Sequence, residues 1–201
     1  MKKCCIFAAG EYDFTPAPPA GALVIAADAG LSHCASPDFV IGDFDSLGAV
    51  PGGDNIIRLP VEKDVTDTWA AVQLALSKKC DDFYIYGALG GRIDHSLANL
   101  ALAAFISRQN AAVHIFGGGY EISAVTDGSV RIKGEPGCTL SVFSWSEKSE
   151  GVTLHGLKYP LCGAVLENTF PLGVSNSFVD CEAEISVKHG TLLIMAQRRR
   201  P

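Results

Sequence analysis

Aspartate residues follow two apolar, strand-like runs in the first half of this sequence. Asp28 comes directly after the run 23–27, and Asp43 and Asp45 follow the run 39–41. An extended backbone would place the carboxylates of Asp43 and Asp45 on one face, because alternate residues of a strand share a face. Proteins hold Mg²⁺ through one or two carboxylates together with substrate phosphates. The spacing therefore predicts magnesium and phosphate chemistry, with an ordinary polar turn as the alternative.

A second acidic segment, 63–67, precedes a helical pattern and has two interpretations. Asp64 or Thr66 fits the N-cap of that helix, and Asp67 in the first turn suits the positive end of the helix dipole. Alternatively, Asp67 contacts a metal ion or a nucleotide, and the ammonium group of Lys63 contacts phosphate.

A glycine-rich turn follows a third apolar run, 83–86. Gly90 and Gly91 let backbone N–H groups approach a phosphate closely. The planar guanidinium group of Arg92 would then bind two phosphate oxygens at once. Asp94 fits a helix cap, and a role in metal binding is the alternative.

His95 and Asn99 lie four residues apart and would share one face of the following helix. For His95, a structural role and a ligand contact are both consistent with the pattern. The sequence lacks the motif GxxxxGK[ST], which excludes a P-loop nucleotide site. The glycine run 117–119 lacks the spacing of a dinucleotide-binding motif and is interpreted as a linker.

Short apolar runs alternate with two helical patterns before residue 120, which predicts βαβ units and a mostly parallel sheet. Ligands of such sheets bind outside the carboxyl ends of the strands, where the aspartates and glycines occur. The predicted strands are 4–8, 23–27, 39–41, 83–86 and 113–116. The predicted helices are 66–79, with an inward stripe of Trp69, Val72, Gln73 and Leu76, and 94–109, with a stripe of Leu97, Leu100, Ala101 and Ala104.

Only short strand patterns follow residue 120, separated by turn signals such as His189-Gly190. They predict a small antiparallel sandwich or barrel. The expected fold class is an α/β N-terminal domain with a mostly parallel sheet, 1–120, followed by an all-β C-terminal domain, 121–201. The strands predicted in the second domain are 121–125, 129–132, 139–143, 161–166, 183–187 and 192–196.

The composition is typical of a globular protein, since the 201 residues are 48% apolar and 19% charged. A formal net charge of −6 argues against a broad contact with the backbone of nucleic acid. No apolar stretch approaches the roughly 18 residues of a membrane-spanning helix, so no membrane partner is expected. The 7 cysteines lack metal-binding spacing and predict buried, reduced thiols in a cytoplasmic protein.

Four motifs, taken in order, resemble those of the thiamine pyrophosphokinase family: Asp28, GDFDS at 42–46, KDVTD at 63–67 and GALGGRIDHSLAN at 87–99. In the second half, EGVTLHGLKYPL at 150–161 and SNSF at 175–178 resemble the thiamine-binding domain of that family. The resemblance covers nearly the whole chain. It implies a nucleotide-binding α/β domain followed by a β-sandwich.

The resemblance implies that ATP and thiamine react to give AMP and thiamine diphosphate, with Mg²⁺ as cofactor. It also implies a homodimer, in which the α/β domain of one subunit and the β domain of the other form the thiamine site. The implied metal ligands and catalytic residues are Asp43, Asp45, Asp67 and Asp94, with Arg92 as a further catalytic residue. The implied ATP-binding residues are Asp28, Lys63, Asp64, Thr66, Gly90, Gly91, Arg92 and His95. The implied thiamine-binding residues are Ser175, Asn176 and Tyr159.

Transfer of a pyrophosphoryl group requires positioning and charge neutralisation more than covalent chemistry. Asp67 or Asp94 would accept the proton of the thiamine hydroxyl. Tyr159 or Trp145 would offer an aromatic face to the cationic thiazolium ring, with packing inside the β domain as the alternative for both.

Two other classes of function are weighed against this one. A nucleotide-sensing module without turnover would not need several mutually repelling carboxylates. A metal-dependent phosphohydrolase usually has histidine among its ligands, whereas the 5 histidines of this chain are scattered. Release of AMP that requires both Mg²⁺ and thiamine would distinguish the three functions.

Overall fold

The computed structural model describes residues 1–44 and 52–198. The chain forms two compact units, which are described separately. The first comprises residues 1–102 and 115–118, and the second comprises residues 103–114 and the chain from Gly119 onward. Within the described ranges, no helix is long and apolar enough to cross a membrane.

The first unit contains a parallel sheet in which β1 is the central strand. The order is β5-β1-β2-β3-β4, and each neighbouring pair is parallel. Cys4, Cys5 and Ile6 of β1 have no exposed surface, so both faces of this strand are covered. The predicted parallel sheet is therefore confirmed, while β4 escaped prediction because its three residues are too short to form a pattern. The bounds are β1 (Lys3–Phe7), β2 (Leu23–Ala27), β3 (Phe39–Gly42), β4 (Ile56–Arg58) and β5 (Asp82–Tyr86).

Helix α1 (Asp67–Ser77) packs on strands β1, β2 and β3, and its fully buried residues share only Val72 with the predicted stripe. Gln73 is exposed, and Trp69 and Leu76 are only partly buried. The small side chains of this helix face the sheet because they let the helix approach the strands closely. The buried residues are Thr68, Ala71, Val72 and Ala75.

The fully buried residues of helix α2 (Ile93–Arg108) share only Ala104 with the predicted stripe. Leu97 is 57% exposed and Ala101 is exposed, whereas Asn99 is 6% exposed. The side chain of Asn99 donates a hydrogen bond to the carbonyl oxygen of Ala88, which fixes the rotation of the helix about its axis. The buried residues are Asn99, Leu102, Ala103, Ala104, Ile106 and Ser107.

The second unit is a sandwich of two antiparallel sheets. Their strand orders are β12-β9-β14-β7 and β11-β10-β13-β8. A core that includes Leu140, Leu154, Ile185 and Ile194 draws on both sheets, which confirms the predicted sandwich. The bounds are β7 (Tyr120–Thr126), β8 (Ser129–Lys133), β9 (Thr139–Ser144), β10 (Lys148–His155), β11 (Leu161–Glu167), β12 (Asn176–Ser177), β13 (Glu182–Ser186) and β14 (Thr191–Gln197).

Strand β6 (Ala112–Gly117) precedes the glycine run that was interpreted as a linker. Gly118 and Gly119 have φ of 60° and 79° and form a two-residue turn between β6 and β7. Glycine adopts this left-handed backbone without the penalty that a side chain would impose. The linker interpretation is therefore wrong in form, because the run is a tight turn.

All seven cysteines lie in the described residues and are free thiols, as predicted. Cys4, Cys5 and Cys80 are buried. The prediction of burial is wrong for Cys162 and Cys181, which are exposed on the second unit.

Candidate functional site

Two aspartates lie where neighbouring strands of the first unit end. Asp28 follows β2 and begins a short 3-10 helix, Asp28–His33, with a φ of 46°. Asp43 follows Gly42, the last residue of β3. A Cβ atom on Gly42 would lie 3.1 Å from the Cα atom of Asp28. The missing side chain at Gly42 therefore lets the end of β3 pack directly against the turn that carries Asp28.

The ammonium group of Lys63 joins two of the predicted carboxylates. It donates a hydrogen bond to Oδ2 of Asp43, and it lies 3.3 Å from Oδ1 of Asp67. The exposed fractions of the three side chains are only 14% for Lys63, 11% for Asp43 and 22% for Asp67. Water and salt therefore screen these charges less than they screen pairs on the surface.

The charges around Asp67 change its proton affinity. Burial raises the pKa of Asp67, Lys63 opposes that rise, and the carboxylates of Asp43 and Asp28 add to it. Burial lowers the pKa of Lys63, but its pairing with Asp43 and Asp67 outweighs burial, so that pKa is raised as well. Three carboxylates thus act in this region together with the ammonium group of Lys63. The excess negative charge suits a cationic ligand.

Asp28, Asp43 and Asp67 are the described carboxylates that fit a role in holding Mg²⁺. No group of three or more histidine, cysteine or acidic side chains in residues 1–44 and 52–198 converges as a ready-made metal site. Mg²⁺ commonly takes one or two protein carboxylates and completes its shell with phosphates and water. Asp67 Oδ1, which is buried and forms an ion pair with Lys63, is a hard oxygen ligand of the type that Mg²⁺ prefers. The predicted ligand Asp45 lies outside the described residues.

The predicted phosphate turn has a left-handed backbone at Gly87, Gly90 and Gly91, with φ of 64°, 88° and 62°. The amide of Asn99 holds this turn through a hydrogen bond of 2.7 Å to the carbonyl oxygen of Ala88. Because three glycines give the turn many alternative conformations, such contacts are needed to hold it in one.

Arg92 and Asp94 pair with each other. Nη2 of Arg92 lies 2.6 Å from Oδ2 of Asp94, and its Nε donates a hydrogen bond of 3.2 Å to Oδ1. These hydrogen bonds lower the pKa of Asp94 to about 2. Asp94, a predicted metal ligand, therefore pairs with the predicted phosphate-binding residue Arg92.

The first turns of α1 and α2 show which of the predicted capping contacts form. Oγ1 of Thr66 accepts a hydrogen bond of 3.2 Å from the backbone N–H of Trp69, so Thr66 is the N-cap of α1. Asp64 is exposed before that helix. Oδ1 of Asp94 accepts a hydrogen bond from the backbone N–H of His95 at 3.0 Å, and His95 is exposed in the first turn of α2.

In the second unit, Asn176 anchors the backbone of Tyr159. Its Oδ1 accepts hydrogen bonds from the N–H groups of Tyr159 and Ser177, both at 2.9 Å, and its Nδ2 donates one of 2.7 Å to Tyr159 O. Asn176 is buried, whereas the side chain of Tyr159 is 59% exposed. Ser175 is exposed and has a φ of 59°. Of the three predicted thiamine-binding residues, Tyr159 and Ser175 thus present accessible side chains.

Two residues of the first unit that support the glycine turn were not assigned a role from the sequence. The sequence pattern places Asn99 on one helix face with His95 and assigns Glu11 no functional role. Oε1 of Glu11 accepts a hydrogen bond of 2.9 Å from the backbone N–H of Gly91. The available signal was that Glu11 follows β1 at the carboxyl edge of a parallel sheet, where ligands bind.

The sequence matches two domain models of one family. A model of the catalytic domain of thiamin pyrophosphokinase matches residues 20–115, and a model of its vitamin B1 binding domain matches residues 129–192. A curated relative, the thiamine pyrophosphokinase of Bacillus subtilis (strain 168), is 31% identical over 171 residues. The matched region is 79% of this chain and 78% of the relative.

Solved structures of similar proteins agree with this fold. The crystal structure of thiamine pyrophosphokinase from Bacillus subtilis has a TM-score of 0.83 at 25% identity, over 99% of this chain and 100% of that chain. A thiamin pyrophosphokinase family protein from Enterococcus faecalis has a TM-score of 0.80 at 27% identity, with the same coverage. Because both domain models match in order and a relative exceeds 30% identity over most of the chain, this protein belongs to the thiamine pyrophosphokinase family.

Proposed function

We propose that this chain transfers the pyrophosphoryl group of ATP to the hydroxyl group of thiamine, giving thiamine diphosphate and AMP. The observation that carries the proposal is the position of Lys63 between Asp43 and Asp67, next to the carboxyl edge of the parallel sheet. One cation among several partly buried carboxylates is suited to a substrate that brings both phosphate and a divalent cation.

In the proposed reaction, the hydroxyl oxygen of thiamine attacks the β-phosphorus of ATP. The bond between the β-phosphorus and the oxygen bridging to the α-phosphate breaks, and AMP leaves. Lys63 and Arg92 bind phosphate oxygens and stabilise the charge that develops on them. Arg92 exchanges its exposed pairing with Asp94 for phosphate, and the N–H groups of Gly90 and Gly91 lie next to it.

Mg²⁺, when bound, neutralises the charge of the triphosphate. Asp43, Asp45 and Asp67 would hold it, and Asp28 adds negative charge near Asp67. Asp94, which pairs with Arg92, becomes available as a further metal ligand when Arg92 moves to phosphate. In this assignment, Asp64, Thr66 and His95 line the ATP site at the starts of the two helices, and Thr66 also caps α1.

Asp67 is the better candidate for the base that accepts the hydroxyl proton. Burial raises the pKa of Asp67, whereas the side chain of Asp94 is 64% exposed and lacks this effect of burial. A carboxylate with the higher pKa binds a proton more strongly, so it is the more effective base at neutral pH.

The thiamine site is proposed to include the exposed ring of Tyr159, which Asn176 holds in position. An aromatic face attracts the cationic thiazolium ring. The ammonium group of Lys158 lies 5.4 Å from the centre of that ring. On binding, the cationic thiazolium ring of thiamine would replace this ammonium group. Ser175 offers a hydroxyl group beside Asn176 for the pyrimidine.

Exposed apolar side chains on each unit support the proposed homodimer. Ile93 and Leu97, one turn apart on α2, are 84% and 57% exposed. On the second unit, Phe170 is 63% exposed and Val179 is 51% exposed. Surfaces of this kind commonly mark interfaces between subunits. The free thiols are consistent with a reducing compartment such as the cytoplasm.

The test is to incubate the purified protein with ATP, Mg²⁺ and thiamine and to quantify AMP and thiamine diphosphate. Equal amounts of both products, formed only when all three components are present, would support the proposal. Release of inorganic phosphate without thiamine would instead identify a phosphohydrolase. Tight ATP binding without any product would identify a sensing module. The Asp43→Asn variant serves as the inactive control, because it removes charge from the site with little change in volume.

A further inference from the structure

The segment after β1 runs alongside the turn that follows β5. The backbone N–H of Ala8 donates to Tyr86 O at 2.8 Å, and that of Gly10 donates to Gly87 O at 2.7 Å. The N–H of Glu11 donates to the carbonyl oxygen of Leu89 at 3.2 Å. The pairing of β1 with β5 therefore continues past the strands and attaches the residues up to Glu11 to the glycine turn.

The side chain of Tyr12 fixes this segment from the other side. Its hydroxyl group donates a hydrogen bond of 2.7 Å to the carbonyl oxygen of Ala8, and its ring stacks on His33 with centroids 3.8 Å apart. A Cβ atom on Gly87 would lie 2.4 Å from the ring of Tyr12. Gly87 therefore has to be glycine both for this contact and for its left-handed backbone.

The carboxylate of Glu11 lies directly on the two glycines that precede Arg92. Its Oε1 accepts the hydrogen bond of 2.9 Å from the N–H of Gly91. Its Oε2 would lie 2.6 Å from a Cβ atom on Gly90. The carboxylate thus lies against the Gly90–Gly91 part of the turn, and it fits there because Gly90 has no side chain.

We propose that Glu11 is a positioning residue, which fixes the Gly90–Gly91 turn and so orients Arg92 toward the phosphates of ATP. The inference rests on the proposed function, in which Arg92 binds those phosphates. Two successive glycines lose much conformational freedom when a ligand orders them. A contact that orders the turn beforehand removes part of that cost from binding.

The alternative is that Glu11 weakens ATP binding instead of strengthening it. A carboxylate on the N–H of Gly91 would compete with phosphate for the same donor, and its charge would repel ATP. Removal of Glu11 would then strengthen ATP binding. Positioning depends on the hydrogen-bond acceptor, whereas competition depends on the acceptor and the negative charge, so Glu11→Gln and Glu11→Ala separate the two.

Glu11→Ala and Glu11→Gln are compared with the wild-type protein in steady-state kinetics. We expect Glu11→Ala to raise KM for ATP and lower kcat/KM for ATP by about three- to tenfold, the range for loss of one hydrogen bond. KM for thiamine should not change. Glu11→Gln should stay within about twofold of wild type, because its amide oxygen still accepts the hydrogen bond. Glu147→Ala removes an exposed glutamate of the second unit, outside the motifs that resemble the family, and is the matched control.

A second measurement does not depend on turnover. Binding of α,β-methylene-ATP with Mg²⁺ is titrated calorimetrically, since this analogue lacks the bond that breaks in the proposed reaction. Glu11→Ala should weaken binding by the same factor as KM rises. In an Arg92→Ala background the further effect of Glu11→Ala should disappear, because Glu11 acts through Arg92. Thermal denaturation of each variant checks that the fold is intact.

Wild-type affinity and kinetics in Glu11→Ala would overturn the inference, and so would tighter binding in both Glu11 variants. An additive effect in the Arg92→Ala background would show that Glu11 does not act through Arg92 and would overturn it as well. Failure of the proposed function looks different, because the wild-type protein itself would then form no AMP. If the wild-type protein also fails to bind the analogue, both proposals are wrong.

Discussion

Lys63 donates a hydrogen bond from Nζ to Oδ2 of Asp43, across twenty residues of sequence. The pair brings the segment before α1 to the end of β3, and both side chains are largely buried. With Asp67 at 3.3 Å on its other side, Lys63 offsets part of the negative charge in this region. Its contacts with these carboxylates would therefore change when Mg²⁺ and the phosphates of the substrate bind.

We expect Lys63→Met to lower both stability and activity. The change leaves Asp43 and Asp67 partly buried without their cation, at a cost of about 1–3 kcal/mol in the free energy of unfolding. Urea denaturation at neutral pH measures this loss, and kcat/KM for ATP should fall by more than about tenfold. Lys133→Met, at an exposed position of β8, is the control. Unchanged stability and kinetics would mean that the ion pairs contribute neither to folding nor to catalysis.

Asp67→Asn is expected to abolish turnover and to stabilise the fold at neutral pH. Because the pKa of Asp67 is raised in the folded protein, that state holds the proton more tightly than the unfolded chain does. Asp67 therefore destabilises the fold as pH rises from its unfolded pKa, about 3.9, through its folded pKa. Asparagine carries no charge and avoids this cost.

Urea denaturation at about pH 4.5, 6.0 and 7.5, a range that covers the titration of a carboxyl group with a raised pKa, measures how Asp67→Asn changes the free energy of unfolding at each pH. The stability gain of Asp67→Asn should be greater at pH 7.5 than at pH 4.5. A gain that does not vary with pH, or a loss at every pH, would show that the ionised carboxylate of Asp67 does not destabilise the folded state.

The sequence was sufficient to predict that Asp28 and Asp43 lie near each other. Both follow short apolar runs, and the carboxyl ends of neighbouring parallel strands meet at one edge. The contact between Lys63 and Asp43 was not predictable in the same way, because it depends on the path of the loop between them. Only a three-dimensional structure reveals that one ammonium group lies between two of the candidate metal ligands.

Apart from Val72 and Ala104, the predicted inward faces of the helices are wrong, for a physical reason. Hydrophobic periodicity favours large apolar residues such as Trp69 and Leu97 for the buried face, but close packing on the sheet favours small ones such as Ala71. The polar Asn99 is buried because the turn at Ala88 supplies a hydrogen-bond acceptor. A buried polar residue of this kind is predicted from its partner, which the sequence pattern does not identify.

Asn99→Ala is expected to loosen the glycine turn from the helix side. The carbonyl oxygen of Ala88 would lose its hydrogen bond of 2.7 Å in a buried environment, which costs about 1–3 kcal/mol in the free energy of unfolding. We expect a matching loss of ATP affinity, measured by titration with α,β-methylene-ATP and Mg²⁺. Asn168→Ala changes an exposed asparagine of the second unit, and its effect should be small. Equal effects of the two substitutions would argue against a specific role for Asn99.

The last prediction concerns the proposed homodimer, in which each thiamine site combines the first unit of one subunit with the second unit of its partner. Asp43→Asn and Asn176→Ala inactivate different halves of such a site, provided that each variant alone is inactive. After subunit exchange between equal amounts of both variants, half of the dimers are mixed, and each mixed dimer has one intact site and one doubly altered site. Two-fold symmetry therefore predicts recovery of roughly a quarter of wild-type activity. Mass spectrometry of the intact dimers measures the exchange independently. If mixed dimers form and activity remains at the level of the parent variants, each site is built within one chain.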